Sequence, residues 1–314
     1  PERLIVDPHH HLWERPASTY SLNELWGDTD SGHNIRKTVF LECGASYRED
    51  GPEHLQCVGE TEFVQRLAAA SEQGRADQAR IAGIVSTANL ASPQLDEILD
   101  AHEAAGDGLF KGIRHSGARD PHPEVLRIPG RASEGLYASP EFRAGVARLG
   151  ERGLTYDTWH YHHQNAEFAA LAAAVPGTTM ILDHFGTPLG VGPYADQRES
   201  IFAAWKDDIA RIAECPNVVA KLGGLAMPDN GFGWHERATP PSSDEFIEAQ
   251  GRYYEHTIAC FGAERCMFES NFPVDRWSLS YPVLWNAFKK IAAGYSESEQ
   301  DAMFQGTATR VYRL

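Results

Sequence analysis

LIVDPHHHLW, residues 4–13, sets a short apolar run directly before three consecutive histidines. Neighbouring imidazoles repel when protonated and need partners when neutral, so a chain gains nothing structural by gathering them at the end of a buried strand. Side chains alternate across a strand. His9 and His11 therefore point to one side, where two imidazoles can meet one metal ion or one substrate. His10 points the other way and is expected to face the layer between strand and helix, hydrogen-bonded to backbone.

The same pattern recurs along all 314 residues. Apolar runs at 3–11, 37–44, 79–90, 109–116, 154–163, 178–186, 218–224 and 265–273 each precede a helix-like segment, and a last helical segment closes the chain. Ser92-Pro93 and Ser139-Pro140 read as N-cap and first helical residue. Eight strand-then-helix units with near-continuous apolar strands predict a parallel (β/α)8 barrel, one TIM-barrel domain spanning 1–314. A doubly wound open sheet would carry a glycine-rich loop after its first strand, and DPHHHLW is not one.

Polar residues gather where the predicted strands end, which in such a barrel is the mouth that carries the active site. They include His9, His11, Glu42, Lys111, Arg114, His160, His163, Asp183, His184, Lys221, Glu269, Asn271 and Asp275. Lys111 and Arg114 are candidates to bind a substrate carboxylate, with pairing to strand-end acids as the alternative. His160 and His163 belong to the cluster HYHH, which reads as a site wall or a loop cluster. Lys221 reads as either a substrate ligand or a structural partner. Trp159, Tyr161, Trp234 and Trp277 are candidates for an aromatic wall, and the long loop 226–244 for a lid.

Composition narrows the partners. Apolar residues make up 42% and charged residues 23%, ordinary for a globular domain. The formal net charge of −16 disfavours nucleic acid and anionic membranes, leaving a small-molecule substrate. No membrane-spanning run and no leader peptide are expected. Five scattered cysteines form no CxxC pair, which points to a reducing, cytoplasmic setting.

DPHHHLW, FKGIRH (110–115), ILDHFG (181–186), AKLGG (220–224) and FESNFPVD (268–275) together resemble the amidohydrolase-2 family, more closely its lactonase-rich subgroup of 2-pyrone-4,6-dicarboxylate and sugar-acid lactonases. The resemblance implies hydrolysis of a lactone or related cyclic ester by activated water. It makes His9 and His11 the HxH pair and His184 the strand-six histidine, three ligands for one divalent ion, zinc by preference. Some members of the subgroup work without metal. Family decarboxylases and a non-catalytic binding barrel are the rival readings. Members of the family are often dimers, so a homodimer is left open.

One position departs from the pattern. Asn271 stands where the strand-eight aspartate is usual, and an amide is neither a general base nor a good zinc ligand. Glu269 and Asp275 are the carboxylates that could replace it as base. Metal-bound and metal-free chemistry both stay open at this point.

Overall fold

A computed structural model describes residues 2–314. Eight parallel strands follow one another round a barrel in chain order: β1 (Leu4–His10), β2 (Asn34–Leu41), β3 (Arg80–Ser86), β4 (Phe110–Arg114), β5 (Thr155–Thr158), β6 (Met180–Leu182), β7 (Val218–Leu222) and β8 (Cys266–Phe268). All eight lie within or overlap the apolar runs of the sequence. Their near-continuous apolarity follows from burial on both faces.

The seam between β8 and β1 closes differently from the rest. A single bridge joins His10 to Phe272. His11 N donates to Phe272 O (2.8 Å) and Asn271 N to His9 O (2.9 Å). Below them Asp7 substitutes for a ladder: its carboxylate accepts from Ser270 N (3.0 Å) and from the Tyr281 hydroxyl (2.9 Å). The first and last motifs are thus tied together by backbone at the mouth.

Inside the barrel, Val6, Val39, Val85, Ile181, Val219 and Met267 pack on Ala308, Val311 and Tyr312 of the last helix, Thr307–Tyr312, which plugs the floor. The larger core fills the space between strands and helices. No described helix is long and apolar enough to cross a membrane, and the five cysteines are unpaired.

Three local expectations change. After β1 the chain builds an antiparallel hairpin, Trp13–Arg15 with Ser18–Tyr20, then a helix at Leu22–Thr29. Ser21 and Glu24 form its capping box, a signal the sequence displayed. Ser139-Pro140 does start a helix, with Ser139 Oγ accepting from Phe142 N (3.3 Å). Ser92-Pro93 does not: Ser92 Oγ accepts from Gln94 N (3.2 Å) in a tight turn, and the helix begins at Leu95. His10 is buried against Phe40, and neither ring nitrogen has a hydrogen-bond partner, contrary to the expected backbone bond.

Candidate active site

His9, His11, His184, Glu269 and Asn271 converge at the mouth. Glu269 directly follows β8 and is fully buried. Its Oε1 accepts from His184 Nδ1 (2.7 Å), and its Oε2 lies 2.6 Å from His9 Nδ1. An ionised Glu269 accepts the His184 Nδ1–H and leaves a lone pair on His184 Nε2, whereas His9 Nδ1 faces both Glu269 Oε2 and the Lys221 ammonium, 3.4 Å away. His11 is fixed in the same tautomer, because its Nδ1 bonds Leu41 O (2.9 Å) and a carbonyl can only accept. Burial keeps all three imidazoles neutral: it lowers His9 and His11 well below the ordinary histidine range and takes His184 down to about 3.

The backbone that delivers these groups is unusual. His184 and Asn271 both sit in the left-handed region, at φ 52° and 53°. The glycine pair of AKLGG makes the space. A Cβ on Gly224 (φ 78°) would lie 2.0 Å from His184 Nδ1, and one on Gly223 would lie 2.5 Å from Glu269 Cγ.

Beneath His9 lies a buried charge network. Lys221 Nζ donates to Asp157 Oδ2 (2.8 Å), sits 3.1 Å from Asp183 Oδ1 and 3.4 Å from His9 Nδ1. Tyr312 donates to the same Asp157 oxygen (2.5 Å), linking floor to site. Burial opposes the charge on Lys221, but Asp157, Asp183 and Glu269 more than offset it and raise its pKa. Burial pushes Asp183 up to about 6 and Glu269 up to about 8, with Lys221 pulling both back.

Above these residues opens a cavity of about 700 Å³. His11, His184, Asn271, Glu42 and Arg114 line it, together with Trp159, Trp277, Met227 and the hairpin residues Trp13, Arg15, Ser18, Thr19 and Tyr20. Arg114 donates from Nε to Glu42 Oε1 (2.8 Å), and its Nη1 lies 3.4 Å from His9 Nε2 and 3.7 Å from Asp183.

Other candidates fall elsewhere. Asp275 is buried behind Asn271, accepting from its Nδ2 (2.9 Å), with its carboxyl raised well above the usual range by burial. Lys221 is interior and Glu269 is behind the imidazoles, so neither lines the cavity. Lys111 lies at the start of β4, the opposite end of the barrel, where Nζ donates to Gly108 O (3.0 Å) and reaches Arg313 O (3.4 Å). His160 bonds Asn165 Oδ1 (2.9 Å) in the outer layer, and His163 pairs with Asp120 (2.9 Å) beside Tyr194. Of the four proposed wall aromatics, Trp159 and Trp277 reach the cavity, and loop 226–244 contributes Met227.

Asp157, Tyr312, Arg15 and the roles of the two glycines escaped the sequence. A charge in the middle of a four-residue buried strand signalled Asp157, since such a group needs a partner. Nothing local marked the others.

His9, His184 and Glu269 offer ligand atoms all within 4.8 Å of one another. The Nε2 atoms of His9 and His11 stand 3.3 Å apart, and His11 Nε2 is 3.3 Å from Asn271 Oδ1. Two imidazole nitrogens on a tetrahedral zinc would be separated by about 3.3 Å, given Zn–N near 2.0 Å. The two Nε2 atoms thus stand at the spacing of zinc ligands, and the donor set fits a divalent ion, with the Arg114 guanidinium as the positive group already adjacent.

The chain matches the amidohydrolase family Amidohydro_2 over residues 6–314. It belongs to that family. The uncharacterized protein y4mH of Sinorhizobium fredii is 33% identical, covering 99% of this chain and 98% of its own. The L-fucono-1,5-lactonase of Burkholderia multivorans is 28% identical over 99% of this chain and 96% of its own. A crystal structure of a Burkholderia multivorans amidohydrolase with bound zinc superposes with a TM-score of 0.76 at 24% identity, covering 99% of both chains. Membership and the lactonase relative support a hydrolase, and the structural likeness supports the amidohydrolase barrel.

Proposed function

We propose that this amidohydrolase opens lactones or related cyclic esters by adding water at the barrel mouth. The contact of Glu269 with His184 Nδ1 carries the reading, because it holds the His184 Nε2 lone pair ready to accept a proton. Neither Glu269 nor Asp275 lines the cavity, so the imidazole is the base and Glu269 its positioning partner. Water gives a proton to His184 Nε2 as its oxygen bonds the carbonyl carbon. Arg114, on the cavity wall, meets the charge developing on the carbonyl oxygen. The imidazolium then returns the proton to the leaving alkoxide as the ring C–O bond breaks, giving a hydroxy acid. A divalent ion, zinc by donor type, held on the facing Nε2 atoms of His9 and His11 would supply Lewis acidity for the same carbonyl. The lyase reading leans on a strand-eight aspartate, and Asn271 stands there.

A proton-release assay across γ- and δ-lactones, on chelator-treated and zinc-supplemented protein, tests this. Glu269→Gln should lower kcat by about 10²–10⁴ with KM changed little, the usual worth of an oriented base. Absence of turnover on every lactone, or full activity in that variant, overturns the reading.

A further inference from the structure

The chain is strongly acidic, yet three guanidinium groups line its mouth cavity, those of Arg15, Arg114 and Arg276, against the single carboxylate of Glu42. Two of the three are already neutralised. Arg114 pairs with Glu42 and Asp183, and Arg276 pairs with Asp28. Arg15 has no carboxylate partner among the described residues. Its guanidinium lies over the Trp13 ring at 5.0 Å, and Nη2 donates to Cys43 O (3.2 Å). A guanidinium carries five N–H donors in a planar fork, so most of its capacity remains for something in the cavity.

The hairpin that carries Arg15 is built to hold it there. Trp13 pairs with Tyr20 and Arg15 with Ser18 across two antiparallel strands, and Trp13 Nε1 donates to Ser18 Oγ (3.3 Å). Ser18 and Thr19 line the cavity beside Arg15. The residues expected to take a substrate carboxylate do not serve: Lys111 is at the far end of the barrel, and Arg114 is paired with Glu42 and, in the proposed reaction, engaged by the reacting carbonyl.

We infer that the hairpin 13–20 is a specificity element in which Arg15 binds a carboxylate carried by the substrate ring, with the Ser18 and Thr19 hydroxyls beside it. The inference rests on the lactonase reading for the ring itself. Arg15 grips the anionic substituent with its free fork, while the Trp13 ring holds the guanidinium in place from behind.

Calorimetric titration tests this with pyroglutamate, a carboxylated ring of lactone shape that resists opening, and with its methyl ester. The wild type should bind the acid at least about tenfold more tightly than the ester, the scale of a charge-assisted hydrogen bond. Arg15→Gln should lose that preference while keeping its ester affinity, which serves as the folding control. Arg15→Lys should restore only part, since an ammonium lacks the fork. Equal or absent binding of both probes by the wild type, or a preference that survives Arg15→Gln, overturns the proposal. Turnover of the matching carboxylated lactone is measured separately. An Arg15-dependent preference without ring opening would refute the lactonase reading and leave the Arg15 subsite standing.

Discussion

Glu269 is a single buried carboxylate set between two imidazoles and an ammonium. It holds the tautomer of His184, faces His9 Nδ1 at 2.6 Å and neutralises part of the field of Lys221. Its raised pKa is the cost of burial, and that cost is tolerated because Lys221 lies beneath it. Asn271 then needs no charge of its own: its amide is held by Asp275 and faces His11 at 3.3 Å. Lys111 gives the contrasting case. Its ammonium is satisfied by two carbonyls at the barrel floor. Lys111→Ala should leave kcat/KM within about twofold, with at most about 1 kcal/mol lost in denaturant unfolding. A large kinetic loss would mean that Lys111 reaches the mouth after all.

Among the elements, the β7 end and the last helix support the site without touching substrate. Gly224 sits in left-handed backbone against the His184 ring, so Gly224→Ala must move one or the other. A displacement of about 1 Å can cost about a hundredfold in rate. The expected result is a drop of that order in kcat, with a crystal structure of the variant showing the His184–Glu269 contact lengthened. The last helix acts through Tyr312. Tyr312→Phe leaves Asp157 short of a donor in a buried network, which should lower unfolding free energy by about 1–3 kcal/mol in urea. An unchanged midpoint would show that Lys221 and the Thr155 hydroxyl satisfy Asp157 without it.

Over the whole molecule, buried neutral histidines link stability to pH. Burial lowers His102, His115, His160 and His162 from 6.5 to about 4. The unfolded chain binds their protons below pH 6.5, whereas the folded chain does so only near pH 4. Their contribution is therefore complete above pH 6.5 and is lost as pH falls from there toward 4. Each group contributes about 1.4 kcal/mol per pH unit in that window. Urea titrations at pH 7, 6 and 5 should show a steep, accelerating loss. A flat profile would mean that these imidazoles are already protonated in the fold.

The sequence by itself determined the barrel. Strands buried on both faces must be apolar throughout, so β1 to β8 stood out as runs, and the two-residue period of a strand put His9 and His11 on one side. It also displayed every side chain of the cluster His9, His11, His184, Glu269 and Asn271 at a strand end. It could not tell where within the run 109–116 the five-residue β4 lies, and Lys111 turns out to sit near its start, at the floor and not the mouth. It likewise could not show that Glu269 faces imidazoles rather than water, that Gly223 and Gly224 clear space for residues 46 and 40 positions away in the chain, or that a hairpin brings Arg15 over the cavity. Those outcomes depend on contacts between distant segments, which the curvature of the closed sheet decides and no local pattern encodes.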